Sequence, residues 1–353
     1  MKKEIKIVSD FNSDLFYNYL NNQIDKKIYN LDKPNFELFT SGCYKIINSK
    51  NKCHALIAWS RVEETIKEYS NLLNNNKLIL KNLESEVDEY INLILKLSEK
   101  TENLILISWV LPYLEKGRYL RDLTDKHGLS YNLNKINLRV SSALKNKSNI
   151  YLFNLDFIIQ KNNKPYNPKL WYTTKTPYNN NLFEIASEDF KEIINNFSKP
   201  TKKLLVLDLD NTLWGGEIGE LGWKKINLGG HNYIGEAFVD FQKKIKSLKK
   251  KGFQLAIISK NDEKIALEAF KNNKEMILTL KDFVAWRINW NDKAKNLQEI
   301  LTELNLSSDA CVFIDDNINE RNRIKTSFPE VLVPNWPNDP SYYAEEFLKL
   351  NCF

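Results

Sequence analysis

The chain has 353 residues, of which 42% are hydrophobic and 27% are charged. This composition suits about two globular domains, and it excludes a mainly disordered chain, a collagen-like fibre and a small disulfide-bonded scaffold. The 51 Lys and Arg residues exceed the 45 Asp and Glu residues by six. Spread over this length, that excess is too small to indicate nucleic-acid binding, so we expect no nucleic-acid partner.

The cysteines and the apolar runs indicate a cytoplasmic protein without a membrane span. Cys43, Cys53, Cys311 and Cys352 form no CxxC pair and have no histidine at metal-ligand spacing, which favours reduced thiols. No run of about 18 apolar residues occurs, so we expect no spanning helix. The opening MKKEIKIVSDF predicts a β-strand in place of a signal peptide, because Lys6 interrupts its apolar stretch.

The first half of the chain alternates short apolar runs with longer periodic segments. We predict strands at 5–8, 55–59, 104–109 and 150–153, a helix that begins near residue 13 and a helix over 84–97. Residues 160–181 hold three prolines and little periodicity, which predicts a connecting segment. A helix over 187–197, with Ser187 as its N-cap, is predicted to follow.

The second half repeats the alternation. Predicted strands lie at 203–207, 253–258, 310–314 and 331–333, and predicted helices at 233–250, 262–271, 292–304, 317–327 and 341–350. The predicted fold class is therefore α/β, with two domains that each hold a parallel sheet flanked by helices. We place the first domain at 1–160, the connecting segment at 161–200 and the second domain at 201–353.

Polar residues follow the predicted strands of the second domain, at the edge where parallel strands open onto a common crevice. They are Asp208, Asp210, Ser259, Lys260, Asp315 and Asp316, and Lys293 joins them from the start of a predicted helix. Several carboxylates with little neutralising charge are costly unless they surround a cation, and oxygen ligands favour Mg²⁺. Ser259 and Lys293 supply a hydroxyl donor and a positive charge, which suit the oxygens of a phosphoryl group.

The ordered set DLDNT, ISK, a spaced Lys293 and FIDD resembles the haloacid dehalogenase (HAD) superfamily of phosphatases and phosphotransferases, over about residues 202–335. Longer strings narrow the resemblance to the FkbH-like branch (HAD subfamily IIIC): DLDNTLWGGEIGELG, GEAFVDFQ, ISKNDE, DFVAWRINWNDKAKNL and VFIDDNINERN. KLWYTTKTPY, earlier in the chain, also resembles that branch. Its members are often linked to glyceryl transfer in natural-product and surface-polysaccharide pathways.

The resemblance implies a HAD-like Rossmannoid domain that works through an aspartyl-phosphate. Asp208 would be the nucleophile, and Asp210 the general acid and then the general base. The implied substrate-binding residues are Thr212, Ser259, Lys260 and Lys293, and the implied Mg²⁺ ligands are Asp208, Asp210 (by its backbone carbonyl), Asp315 and Asp316. We therefore expect a Mg²⁺-dependent phosphohydrolase acting on a small phosphorylated metabolite or a sugar-linked phosphate in a biosynthetic pathway.

Two other functions stay open. The first is FkbH-like glyceryl or acyl transfer from a phosphoglyceryl donor, with an acyl carrier protein or a glycan intermediate as partner. That branch usually carries a cysteine where this chain has Ile258, and Cys311 lies at the opposite end of its predicted strand. The second is a catalytically silent binding domain, which the intact set of site residues argues against.

The segment 211–232 is short and rich in glycine, which predicts a flap over the crevice in place of a large cap domain. Trp214, Trp286, Arg287 and Trp290 are candidates for the rim of the site. For the tryptophans the alternative is packing in the core, and for Arg287 it is a solvated surface charge.

The first domain resembles the flavodoxin-like domain of SGNH esterases and acyltransferases, with Ser9 and Asp10 directly after its first strand. A Ser–His hydrolase needs a histidine within reach of the serine. His127 is the one plausible partner in this sequence. We expect Ser9 to cap a turn or a helix, and the first domain to position substrate or dock a partner without catalysing a reaction itself.

Overall fold

A computed structural model of the chain describes residues 2–112, 119–162, 164–197, 202–230 and 232–350. The chain divides into two compact units, Met1–Phe197 and Ser198–Phe353. Each unit has its own parallel sheet, as the α/β pattern predicted. Residues 161–197, which we predicted as a connection between the domains, lie within the first unit.

The first unit holds a five-stranded sheet in the order β2-β1-β3-β4-β5. Its strands are β1 (Lys3–Ser9), β2 (Tyr29–Leu31), β3 (Cys53–Trp59), β4 (Thr101–Ile107) and β5 (Ile150–Phe153). Its helices are α1 (Asp14–Gln23), α2 (Phe39–Ile47), α3 (Val62–Thr65), α4 (Lys67–Asn75), α5 (Leu80–Ser98), α6 (Leu129–Leu144), α7 (Leu155–Gln160), α8 (Pro168–Thr174) and α9 (Asn180–Asn196). The three-residue β2 was not predicted, because so short a strand shows no periodicity.

The core of the first unit has a layer on each face of this sheet. Along β3, Ala55 and Ile57 belong to one layer, whereas Leu56 and Ala58 belong to the other, because successive strand residues point to opposite faces. The helix predicted over 187–197 is longer than expected. It begins after Asn179, whose side chain accepts from the backbone N of Leu182, and it packs against α1.

The predicted N-cap of that helix was wrong. Ser187 lies inside α9, and its hydroxyl donates to the carbonyl of Glu184 at 2.7 Å. A serine can bond to the preceding turn in this way within a helix, so it does not always mark a helix start.

The second unit holds a four-stranded sheet in the order β8-β7-β6-β9. Its strands are β6 (Leu204–Leu207), β7 (Gln254–Ser259), β8 (Ala285–Ile288) and β9 (Cys311–Ile314). Its helices are α10 (Ile218–Leu221), α11 (Tyr233–Lys250), α12 (Glu263–Asn272), α13 (Lys293–Glu303), α14 (Ile318–Ser327) and α15 (Tyr343–Leu348). The strand β8 was not predicted, and the strand predicted at 331–333 is reduced to one bridge between Leu332 and Val312.

The position of β6 determines where the site lies. All four residues of β6 are buried, and the strand pairs in parallel with β7 on one side and β9 on the other. The carboxyl ends of these three strands therefore meet at one edge of the sheet.

A short flap follows β6, as predicted, in place of a large cap. Its two arms pair where the backbone groups of Gly215 and Asn227 exchange hydrogen bonds of 3.0 and 2.8 Å. Near its base, Asn211 Oδ1 accepts from the backbone N of Gly216, whose φ of 91° favours glycine. Across the described residues, the structure contains no helix of the length and apolar character needed to cross a membrane.

Candidate active site

Three carboxylates meet at the carboxyl edge of the second sheet. Asp208 follows β6, and Asp315 and Asp316 follow β9, which runs alongside β6. One oxygen from each residue lies within 4.8 Å of the other two. Because Asp208 and Asp315 are also buried, their negative charges repel strongly unless a cation compensates them.

Lys293 supplies one positive charge. Its Nζ lies 3.0 Å from Oδ2 of Asp208 and 2.6 Å from Oδ2 of Asp315. Burial lowers the pKa of Lys293, but the two carboxylates outweigh burial and raise it, so the ammonium stays protonated. Lys293 is the first residue of α13, and the N-cap residue Asp292 accepts from the backbone of Ala294 and Lys295.

Burial also changes the acidity of the neighbouring carboxyls. Burial, followed by the charge of Asp208, raises the pKa of Asp315 to about 7. The same two causes raise the pKa of Asp316. The cluster therefore favours either a proton or a cation on its oxygens.

One oxygen of Asp208 is available for chemistry. Oδ1 is buried and accepts no hydrogen bond from any described residue, which is a costly state for a carboxylate oxygen. Asp208 thus has Oδ2 held by Lys293 and Oδ1 unpaired. The oxygen donors that Asp208, Asp315 and Asp316 bring together fit a hard divalent cation such as Mg²⁺.

The carboxylate of Asp210 lies outside the cluster that the described residues form. Its Oδ1 accepts from Nε1 of Trp214 at 2.8 Å and from the backbone N of Ile218 at 3.2 Å, and its Oδ2 accepts from Nδ2 of Asn261 at 3.0 Å. Burial raises the pKa of Asp210 although these hydrogen bonds lower it. A carboxyl in this state is suited to donating a proton. A metal contact through the Asp210 backbone carbonyl stays a prediction.

Asn261 was not predicted as a site residue. It is buried, and its amide nitrogen donates both to Asp210 and, at 3.1 Å, to the Ser259 hydroxyl. It therefore joins the end of β7 to Asp210 in the loop after β6. The sequence signal was its place in ISKNDE, two residues beyond Ser259.

We expect Asn261→Ala to lower kcat on alkyl phosphates by roughly tenfold to a hundredfold, the usual cost of removing a residue that orients a catalytic group. The loss should be smaller on p-nitrophenyl phosphate, whose leaving group needs little protonation, because Asn261 orients the general acid. Steady-state kinetics on both esters, with the exposed Asn322→Ala of α14 as the control, measures this difference. An equal loss on both esters would contradict the assigned role.

The remaining predicted substrate residues divide into two kinds. Ser259 is buried at the end of β7 beside Asn261. The Thr212 hydroxyl lies 3.2 Å from the backbone N of Asp316 and 3.4 Å from its Oδ1, so it orients Asp316. Lys260 instead forms a surface ion pair, with its Nζ 2.6 Å from Oε1 of Glu320. Surface pairs of this kind contribute little to stability.

Arg321 is a second residue that the sequence analysis missed. Its guanidinium is largely buried, and one of its nitrogens donates to the carbonyls of Asp315 and Asp316 at 2.7 and 2.6 Å. The side chain thereby fixes the backbone turn that presents both carboxylates. It lies in the string VFIDDNINERN, but an arginine in the first turns of a helix gives no sequence signal of this role.

Three of the four candidate rim residues bond to other side chains of the second unit. Trp214 is fully buried and bonded to Asp210, so of the two readings kept open for it, packing in the core is the one that the structure shows. Nε1 of Trp286 donates to Glu263, and Arg287 pairs with two glutamates of α13. Trp290 is 74% exposed.

In the first unit, the Ser9 side chain caps a turn, as predicted. Its buried hydroxyl donates to the carbonyl of Phe11 at 2.9 Å and lies 3.0 Å from the hydroxyl of Ser13. His127 lies beside Asp125 and not beside Ser9, with 3.7 Å between His127 Nδ1 and Asp125 Oδ1.

Asp10 accepts a hydrogen bond from the backbone N of Arg61, and burial raises the pKa of Asp10 to about 7.

The thiols described in the structure are unsuited to covalent catalysis. Cys43, Cys53 and Cys311 are free and buried, and burial raises the pKa of Cys311 to about 12. Cys352 and His231 lie outside the described residues.

A solved structure from Bacteroides fragilis resembles the whole chain. It is the N-terminal part of the protein BF1531, containing a phosphatase domain and complexed with Mg. The match covers 100% of this chain and 94% of that chain, with 28% sequence identity and a TM-score of 0.81. The second unit is a parallel α/β sheet flanked by helices, an architecture consistent with a HAD-like Rossmannoid fold. Together with the site residues above, this likeness makes the chain an enzyme of the phosphatase class.

Two further solved structures match less than half of the chain. A HAD family enzyme from Bacteroides thetaiotaomicron is 12% identical over 39% of this chain and 95% of that chain, with a TM-score of 0.28. A 3-deoxy-D-manno-octulosonate 8-phosphate phosphatase from Moraxella catarrhalis is 16% identical over 43% of this chain and 87% of that chain, with a TM-score of 0.27. At these TM-scores neither likeness carries weight for function. No protein-family model and no curated protein matches the chain.

Proposed function

We propose that the chain is a Mg²⁺-dependent phosphohydrolase that acts through an aspartyl-phosphate on Asp208. The observation that carries this proposal is the state of the Asp208 carboxylate. It is buried, one oxygen is held by Lys293, and the other is unpaired within a group of three carboxylates. The phosphatase domain of the Bacteroides fragilis protein, complexed with Mg, supports the same chemistry.

Asp208 and Asp316 would hold the Mg²⁺ ion, with the Asp210 backbone carbonyl as the further ligand implied by the family resemblance. Asp315 has less capacity to do so, because Lys293 donates to its Oδ2 and the backbone N of Asn317 donates to its Oδ1. Its main role would be to hold Lys293 in place. When bound, Mg²⁺ would offset the negative charge of the phosphoryl oxygens.

In the first chemical step, a carboxylate oxygen of Asp208 attacks phosphorus, and the bond from phosphorus to the leaving oxygen breaks. The leaving oxygen takes a proton from Asp210, so that an alcohol departs and Asp210 becomes ionised. Lys293 lowers the repulsion between the Asp208 carboxylate and the anionic phosphate, which would be severe in a buried site. Ser259 donates a hydrogen bond to a phosphoryl oxygen.

In the second step, Asp210 takes a proton from a water molecule that attacks the aspartyl-phosphate. The bond between phosphorus and the Asp208 oxygen breaks, which restores the carboxylate and releases inorganic phosphate. Asp210 ends protonated and ready for the next substrate. Its hydrogen bonds to Trp214, Ile218 and Asn261 keep the carboxyl in place through both steps.

For the substrate, we propose a phosphorylated metabolite or a sugar-linked phosphate of a surface-polysaccharide or natural-product pathway, on the strength of the FkbH-like strings. Glyceryl or acyl transfer to a carrier protein gains no support from the described residues. Ile258 is buried where that branch has a thiol, and Cys311 is buried within β9. We propose that the first unit, with its SGNH-like strand pattern, positions substrate or docks a partner.

Release of inorganic phosphate from a panel of phosphate esters tests this function. We expect release in Mg²⁺ and a loss of at least a hundredfold in excess EDTA, with recovery when Mg²⁺ is restored, because the carboxylate cluster cannot accept an anionic substrate without the cation. Circular dichroism in EDTA serves as the control for folding. Full activity in the chelator, with the fold intact, would contradict the proposal.

A further inference from the structure

A large cavity in the second unit opens beside the carboxylate cluster. Its volume is about 1090 Å³, and Asp316 lies in its wall. The flap contributes Gly216 and residues 223–228, and the remaining wall comes from the start of α11, the end of α12 and residues near α15. Since a phosphoryl group beside Asp316 would occupy only a small part of this volume, most of it is available to the rest of the substrate.

The cavity wall also carries a cluster of positive charge. Lys224, Lys225 and Lys274 line the cavity, and the carboxylates in its lining are those of Glu275 and Asp316. All three lysines are exposed, and no carboxylate among the described residues lies within ion-pair distance of them. The Lys224 ammonium lies 5.5 Å from the ring of Trp223. We call these three lysines and the space they border the lysine chamber.

The chamber also offers groups that bind polar ligands. Its amide side chains are Asn227, Asn232, Asn272, Asn273 and Asn338, and its apolar surfaces include Trp223, Ile234 and Phe238. Binding sites for small molecules usually combine apolar walls with a few polar groups that fix orientation, in a volume of about 300–1000 Å³. The chamber therefore has room for a leaving group larger than a triose.

We propose that the lysine chamber binds the leaving group of the substrate, and that this leaving group carries a second anionic group besides the phosphate that is cleaved. The inference rests on the proposed function, because it takes the phosphoryl end of the substrate to lie at Asp208. Three ammonium groups without carboxylate partners attract an anion, whereas a neutral body would gain nothing from them.

Two matched esters test the inference. 6-Phosphogluconate and glucitol 6-phosphate have the same chain length and phosphate, but only the first carries a carboxylate at its far end. We expect kcat/KM of the wild-type protein to be about tenfold higher for 6-phosphogluconate at low ionic strength. We expect the double variant Lys225→Gln, Lys274→Gln to lose most of that preference, whereas Lys244→Gln, Lys250→Gln, which removes two exposed charges from α11 outside the chamber, keeps it.

Equal kcat/KM for the two esters, or a preference that the chamber variant retains, would overturn the inference and leave the lysines as ordinary solvated charges. Failure to release phosphate from either ester or from p-nitrophenyl phosphate would count against the proposed function instead. In that case, isothermal titration calorimetry tests separately whether the lysine chamber binds an anion. Binding of 6-phosphogluconate in Mg²⁺ should weaken at least fivefold in the Lys225→Gln, Lys274→Gln variant, and an unchanged affinity would overturn the inference.

Discussion

Replacing Asp208 with Asn is expected to lower kcat for phosphate release by roughly 10⁴-fold or more, which is the scale of loss on removal of a catalytic nucleophile. The amide cannot form the acyl-phosphate, and it also weakens the charge that holds Lys293. The side chain keeps its size, so the buried packing around it is preserved. Continuous phosphate release in Mg²⁺, for the wild type and the variant, measures the effect.

The covalent intermediate offers an independent check of the same assignment. Acid quenching of the wild type during turnover of a ³²P-labelled ester should trap label that hydroxylamine removes, as expected for an acyl-phosphate. Asp208→Asn should trap none, and Lys260→Ala, which breaks only the surface pair with Glu320, should trap as much as the wild type. Label on a peptide without Asp208, or turnover by the Asn variant, would refute the assigned nucleophile.

Replacing Lys293 with Met is expected to destabilise the second unit by about 3–5 kcal/mol, because it leaves two buried carboxylates without their shared cation. The side chain of Lys293 is 3% exposed and that of Asp315 is 0% exposed, so water cannot compensate for the lost charge. For a unit of this size the midpoint of thermal unfolding should fall by roughly 6–20 °C. Phosphate release should fall as well, since the repulsion on the substrate is no longer offset.

The pH dependence of the stability lost in Lys293→Met identifies the cause of that loss. Burial raises the pKa of Asp315 to about 7 even beside Lys293, and removing Lys293 raises it further. A carboxyl with a raised folded-state pKa contributes stability at low pH that is lost as the pH rises through that value. The stability difference between the wild type and Lys293→Met should therefore be larger at pH 8 than at pH 5. Scanning calorimetry of the wild type and the variant at both pH values measures this difference, with Lys260→Ala as the control. The same stability difference at pH 5 and pH 8 would contradict the assignment.

The fold was predicted well where the local pattern was strong. The run at 203–207 has no polar residue inside it beyond its first, and β6 is buried at all four positions. The long stripe at 84–97 likewise became α5. The prediction failed for the three-residue β2 and for β8, where the charged Arg287 interrupts a short apolar run.

The boundary of the first unit depended on packing that the sequence does not show. Residues near 166–178 have little periodicity and three nearby prolines, which indicated a connection. In the structure Tyr178 stacks on Trp59, and Phe183 of α9 packs on both rings. Contacts between residues more than a hundred positions apart place this segment in the core.

The candidate site was predicted as far as its residue types carry a chemical signal. Asp208 and Asp315 were expected together because each follows a predicted strand of one parallel sheet, and Lys293 because it opens a later predicted helix. The structure brings the three within ion-pair distance. Asn261 and Arg321 were missed because an amide and a buried guanidinium act here through hydrogen bonds to other site residues.

Lys260 was predicted to bind substrate because it is the neighbour of Ser259. Adjacent residues at a strand end, however, point in different directions.

Local chemistry and strand order were enough to determine the α/β class, the acidic edge and the need for a cation there. Tertiary structure alone decided which oxygen of Asp208 is free, that Trp214 is a buried donor to Asp210, and that three lysines of the flap and the end of α12 border one cavity. The reason is physical: residue type and period determine which group can react or be buried, whereas a hydrogen bond or a cavity depends on distances between segments that meet only when the chain folds.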